Sequence, residues 1–242
     1  MRLTVHYGNQ PVNFELVRKN VKHINLTVHP NQTISVSANE RVSISEIKAF
    51  VQSKGRWIKT KLNYFQRTAP FEKLPRDYVT GETFRYLGRQ YRLKVIESVS
   101  EYVRFFRGTI EMYVRDKRDL PRKKQLLEKW YEERREIVFI AVLQQMYKRV
   151  KFLNINCPTL DIRQMKLRWG SYLPQQHKIL LNKDLIIAPR FCIEYVVLHE
   201  LLHTKFPDHD YHFLNQLQLL MPDWQERKRI LDEEVARRSL GL

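Results

Sequence analysis

The chain has 242 residues, 43% hydrophobic and 12% aromatic, which is enough to bury one large core or two smaller ones and excludes global disorder. Lys and Arg outnumber Asp and Glu by 43 to 26, a formal charge of +17 that favours polyanionic or acidic partners. Cys157 and Cys192 alone exclude a disulfide framework and a four-cysteine zinc site, while the N-terminus lacks an apolar signal core and no apolar run approaches the roughly 18 to 20 residues of a bilayer span, so a cytoplasmic protein without membrane contact is expected.

Period-two runs at Leu3/Val5/Tyr7, Val12/Phe14/Leu16, Ile24/Leu26/Val28 and Ile34/Val36, separated by turn signals at Gly8-Asn9 and Pro30-Asn31, predict an antiparallel meander over the first forty residues. Ser43 and Glu46 form a capping box, after which Ile44, Ile47, Val51, Ile58 and Leu62 recur at helical spacing for about twenty residues. That helix carries Lys48, Lys54, Arg56, Lys59, Lys61 and Arg67 with Trp57, Tyr64 and Phe65 interleaved. The pattern suits phosphate contact with base stacking, and equally a solvated face.

Residues 68–77 read as a connector. Two hairpins follow, turning at Gly88 and Gly108, and then a helix from about Leu120 to Val150 with Leu126, Leu127, Trp130, Ile137, Ile140, Val142, Leu143, Met146 and Tyr147 as its apolar positions. Beyond it, Ile162, Met165 and Leu167 lead into RWGSY as a strand, with KILLN at 178–182 as its hairpin partner. Pro189 opens a helix that Phe206-Pro207 ends; shorter helices start near Asp210 and after Pro222-Asp223. The whole reads as α+β, a β-rich N-terminal region with helices followed by a compact α+β domain, with a boundary near residue 150. Residues 1–150 hold 30 Lys/Arg against 15 Asp/Glu and residues 151–242 hold 13 against 11, so +15 of the +17 lies in the first part. That region is the candidate surface for DNA or another polyanion.

The chemistry concentrates in VVLHELLHTKFPDHDYHF. His199 and His203 stand four apart in HExxH, so on a helix both imidazoles lie on one face and reach a single metal ion, with Glu200 beside them. Four of the eight histidines fall between His199 and His212. Catalytic zinc takes three protein ligands and keeps a fourth position for water, whose pKa it lowers to about 7. The third ligand comes from Asp208, His209, Asp210 or His212; His209 is preferred because it lies just past Pro207, where the chain can fold back across the helix face. His212 would then brace a ligand or face substrate. Glu200 is assigned general base and then acid for amine departure. Trp169 to Tyr172 are candidates for one wall of a peptide groove, Arg168 for polarising a carbonyl, and Tyr172, Tyr195 or Tyr211 for stabilising an oxyanion. Against these stands the plainer reading in which Trp169 packs in the core and Gly170 permits a bulge.

HELLH with His209 after five residues, Phe213, PDWQERK at 222–228, RWGS at 168–171, ILLN at 179–182 and GETFRYLGRQYRL at 81–93 resemble the YgjP-like metallopeptidase family, relatives of the SprT-like minimal zincins. The resemblance covers most of the chain and departs at Tyr172, where the family commonly has Cys. It implies a zincin-like catalytic domain over 151–242, one Zn2+ per chain on His199, His203 and His209, and Glu200 as acid/base. The expected function is a zinc metallopeptidase that hydrolyses peptide bonds by zinc-activated water, with protein or peptide substrates that include nucleic-acid-associated proteins. Two rivals remain: a nucleic-acid-binding protein with a structural zinc, and a hydrolase acting on something other than a peptide. A purely structural site has no use for an acid beside two ligands, and this disfavours the first.

Overall fold

In the computed structural model, which describes residues 1–8, 10–29, 32–67, 76–165 and 168–235, the chain forms two units, Met1–Phe71 and Glu72–Leu242. The first unit contains β1 (Arg2–Tyr7), β2 (Gln10–Arg18), β3 (Asn25–Val28) and β4 (Ile34–Ala38) in the order β1-β2-β4-β3. β1/β2 and β3/β4 are antiparallel pairs, but β2 and β4 run parallel, so two hairpins lie side by side where a meander was expected. Alternation fixes which face of a strand is buried and leaves its neighbour open. Here the choice is fastened at the strand ends, where Arg18 Nη1 donates to Asn39 O at 2.6 Å and Val42 O at 2.8 Å, and Lys19 N donates to Ala38 O at 3.0 Å. Of the expected turn signals, Asn9, Pro30 and Asn31 lie outside the described residues, as do residues 68–75 of the connector.

One sheet face (Val5, Phe14, Leu16, Val28, Ile34, Val36, Ala38) packs on Ile47, Val51 and Ile58 of two helices, α1 (Ile44–Ser53) and α2 (Gly55–Arg67). The capping box forms as expected: Glu46 N donates to Ser43 Oγ at 3.2 Å, and Ser43 N donates to the Glu46 carboxylate at 2.9 Å. The single helix expected from residue 44 onward is interrupted at Lys54. At the next residue the chain lies on the Tyr7 ring so closely that a β carbon on Gly55 would stand 2.1 Å from its Cδ2, and only glycine allows that approach.

In the second unit β5 (Thr83–Tyr86), β6 (Arg89–Glu97), β7 (Tyr102–Phe106) and β8 (Thr109–Val114) repeat the same plan, with order β5-β6-β8-β7 and the two expected hairpins joined along a parallel β6/β8 pair. Next comes α3 (Leu120–Val150), with Asp119 accepting from Arg122 N at 2.9 Å as its N-cap and Pro121 in its first turn. Leu126, Leu127, Trp130, Val142, Leu143 and Met146 are buried as their spacing predicts; Ile137 and Ile140 are 57% and 47% exposed and lie off the core stripe.

The third sheet is β9 (Thr159–Arg163), β10 (Gly170–Leu173) and β11 (Lys178–Asn182), in the order β10-β11-β9. β10 and β11 pair antiparallel as expected, but Ile162 and RWGSY belong to two strands on opposite sides of β11, and β9 runs parallel to it. β10 is therefore an edge strand. Three helices, α4 (Arg190–Leu202), α5 (Tyr211–Leu220) and α6 (Trp224–Arg229), and a π-helical turn at Ile230–Val235 complete the described chain.

Residue 150 is not a structural boundary. A single core joins Phe84, Ile110 and Met112 to Leu127, Met146, Leu181, Val197 and Leu201. The β5–β6 turn bonds to the segment that leads into α4, Leu87 N to Ile186 O at 3.0 Å and Gly88 N to Ile187 O at 2.9 Å. Tyr131 Oη adds a bond to Arg85 O at 2.7 Å, and Arg135 Nε one to Lys183 O at 3.1 Å. The charge asymmetry that suggested a division there reports on surface, whereas buried contacts divide the chain. The fold is mixed α+β as expected, and among the described residues no helix is long and apolar enough to cross a membrane.

Candidate metal centre

α4 follows Pro189 and is buried over Cys192, Ile193, Tyr195 to Leu198 and Glu200 to Leu202, so its backbone is held by packing on most sides. His199 and His203 project from successive turns. The helix stops at His203; Thr204 Oγ1 donates to Leu201 O at 2.6 Å and Phe206 N to Leu202 O at 2.9 Å, which closes a tight reversal. The reversal returns His209 to the two helical histidines. The Nε2 atoms of His199 and His203 are 3.2 Å apart, those of His203 and His209 3.1 Å, and those of His199 and His209 2.9 Å.

Three imidazole nitrogens at one vertex suit a small cation: tetrahedral bonds of about 2.0–2.1 Å set ligand nitrogens about 3.3 Å apart. The ring orientations fit as well. His203 Nδ1 lies 3.0 Å from Phe206 O, a carbonyl that can only accept, so Nδ1 carries the proton and Nε2 presents its lone pair. Burial, reinforced by His203 and His209 and by Lys228, lowers His199 to about 3, keeping it neutral at physiological pH. Burial lowers His209 too, with His203 adding to the effect and Asp208 opposing it. The Phe213 ring backs all three, its centroid 4.9 Å from His199, 4.7 Å from His203 and 4.8 Å from His209.

Glu200 is buried beside His199, and the backbone N–H of Tyr172 lies near enough to favour its charged form. Burial raises its carboxyl to about 7, against the opposing pull of the Tyr172 N–H and of the Arg168 charge. The remaining candidates separate. Asp210 is spent as the N-cap of α5, accepting from Phe213 N at 2.9 Å. His212 sits exposed on α5 beside Tyr211, its ring 5.8 Å from the tyrosine's, and the structure does not bring it to the triad. Arg168 is exposed and Trp169 half-buried against the core. Tyr172 Oη is engaged 2.8 Å from His177 Nδ1. Tyr195 is buried with its ring 5.8 Å from His199, and burial pushes its hydroxyl pKa well up; Tyr211 is 75% exposed. Phe213 and Lys228 entered the sequence reading only as parts of motifs that carry the resemblance, with no role assigned at the site, and the Tyr172 N–H had none. Phe213 could have been suspected from its place in the first turn of the helix that follows His209; the other two depend on tertiary contacts that no local pattern encodes.

The family model of the YgjP-like metallopeptidase domain matches residues 22–234. Among solved structures the chain is similar to the metallopeptidase zymogen abylysin of Pyrococcus abyssi, with 18% identity and a TM-score of 0.37, over 42% of this chain and 99% of that one. It is also similar to the metallopeptidase zymogen jannalysin of Methanocaldococcus jannaschii, with 24% identity and a TM-score of 0.33, over 37% of this chain and 83% of that one. No curated protein matches.

Proposed function

The chain belongs to the YgjP-like metallopeptidase family, and from that premise we propose that it is a zinc-dependent peptidase whose one ion per chain is held by His199, His203 and His209. The observation that carries the reading is the convergence of three Nε2 atoms within 3.2 Å of one another, with the buried Glu200 adjacent in the same helix. When bound, zinc supplies a Lewis acid that polarises a peptide carbonyl and acidifies water.

This chain's own residues then manage protons and position. Glu200 takes a proton from the attacking water onto its carboxylate and returns it to the nitrogen of the departing amine, so one water is consumed for each C–N bond broken. His203, locked by Phe206 O, keeps its Nε2 lone pair on the site. Phe213 closes the side behind the three rings, leaving approach from the other side. β10, as an edge strand, offers main-chain groups to an extended peptide, and Arg168 stands near enough to Glu200 for its charge to act there. The basic residues of 1–150 hold nucleic acid or an acidic partner and bring nucleic-acid-associated proteins to the site; the excess of 30 Lys/Arg over 15 Asp/Glu supports this part of the reading.

The decisive experiment is metal analysis of the purified chain together with Glu200→Gln. That variant keeps one zinc per chain and loses turnover by about a thousandfold, within the range that proton transfer contributes. Unchanged cleavage by the variant would sink the mechanism, and a zinc-free wild-type protein that stays fully active would sink the cofactor.

A further inference from the structure

Gly170 opens β10, and no left-handed backbone conformation accounts for a glycine there. Space does. A β carbon on Gly170 would stand 2.8 Å from Val196 Cγ1, 2.9 Å from Glu200 Cγ and 3.0 Å from Glu200 Oε1, inside van der Waals contact with the helix that carries HExxH. The strand therefore rests directly on α4 at the Glu200 side chain.

The register tells which main-chain groups face that way. Asn182 N donates to Trp169 O at 2.9 Å, so residues 169 and 182 are a hydrogen-bonded pair, and Gly170↔Leu181 and Tyr172↔Ile179 are the alternating pairs that exchange no bonds. The N–H groups of Gly170 and Tyr172 accordingly point outward from the sheet's edge. That of Tyr172 lies on the edge that meets Glu200, near enough to favour its carboxylate.

We propose that β10 is a positioning device for Glu200: glycine at 170 lets the strand approach α4 closely enough for the Tyr172 N–H to hold the carboxylate in its working orientation. The proposal rests on the reading of Glu200 as the proton-transferring group. It assigns Gly170 a function through contact, where the sequence suggested a bulge or part of a groove wall. It also means that a peptide pairing with β10 finds the Tyr172 N–H already committed.

The test has one arm independent of activity. In the 15N-labelled full chain, Tyr172 is an edge-strand amide facing away from β11 and should nonetheless be protected from hydrogen exchange. Glu200→Ala should speed its exchange at least about tenfold while Ser171 and Leu173, bonded to β11, stay unchanged, and Glu200→Gln, which keeps an acceptor oxygen, should restore protection. Tyr172 exchange indifferent to Glu200→Ala overturns the proposal. In the second arm Gly170→Ala should retain zinc, leave KM within about twofold and lower kcat about 10- to 100-fold, as misplacing a reacting group does. If that variant folds poorly, Gly170→Ala/Val196→Ala relieves the 2.8 Å contact but leaves the two with Glu200. A double variant that folds yet stays slow supports the proposal, and one that regains full kcat overturns it. Should Glu200→Gln prove fully active, the peptidase reading fails by itself; should that variant be inactive while Gly170→Ala is fully active, only the positioning role fails.

Discussion

Glu200 can be weighed without substrate or metal by following stability against pH in chelator-treated protein and its Glu200→Gln variant. Burial raises the folded carboxyl from an ordinary 4.5 to about 7, so between these values the folded state binds a proton more tightly than the unfolded one. The sign follows: the contribution is fully present below about 4.5 and is lost as pH rises through about 7. Its size is about 3 kcal/mol, from a difference of roughly 2.5 pH units at 1.36 kcal/mol each. His199 acts oppositely, because its folded value of about 3 lies below the ordinary 6.5; its contribution is present above 6.5 and lost as pH falls toward 3. From 4.5 to 6.5 the two nearly cancel in the wild type, which hides both. Subtracting wild type from Glu200→Gln removes the histidine and leaves the carboxyl. Urea denaturation from pH 5 to 8.5 should show the variant gaining about 2.5 kcal/mol relative to wild type, most of it below pH 7.5. A difference that stays flat across that range would refute the argument that burial dominates this carboxyl.

Other expectations bear on neighbouring parts. His209→Ala should weaken zinc binding, measured by competition with a chromophoric chelator, by more than the roughly 10- to 100-fold that disturbing a group behind a ligand costs, while His212→Ala leaves it unchanged; the reverse order would reassign the third ligand. Asn182→Ala should cost about 2–4 kcal/mol in chemical denaturation, since the buried amide donates to Met165 O at 2.8 Å and Arg168 O at 3.0 Å and accepts from Asp184 N at 3.1 Å. Binding to a DNA duplex, if it engages about four phosphates, should weaken about a hundredfold between 50 and 200 mM salt; no binding at the lower salt would reduce the positive charge to a solubility feature.

The sequence was most informative where chemistry is local. The capping box at Ser43, α3 from Leu120 to Val150 and the hairpin turns at Gly88 and Gly108 follow from short-range rules, and the structure contains each. HExxH puts His199 and His203 on one helix face, and its place just past Pro207 made His209 the preferred third; the three rings lie together. Long-range choices were not legible. Period two says that Leu16 and Val36 are buried but not that their strands lie side by side and parallel. Ile137 and Ile140 fit the helical period loosely and fall outside the buried stripe, because α3 presents a changing face over its 31 residues. Gly170 looked like a bulge because the reason for its small size, the Glu200 side chain, is thirty residues away in sequence and reaches it only after β10 and α4 pack.

The shared plan of the two four-stranded sheets bears on how the chain assembles. In each, two hairpins can form from neighbouring residues, and only the central parallel pair, β2/β4 or β6/β8, must wait for separated segments to meet. Local pairing is fast and loop closure grows costly slowly with length, so each sheet has one late step, the docking of two finished hairpins. The Arg18 contacts with Asn39 O and Val42 O span that junction in the first sheet. Losing them would slow folding of the first unit if the junction forms in the transition state, and would speed its unfolding if it forms afterwards, so kinetics of a single arginine variant would time the docking of the two hairpins.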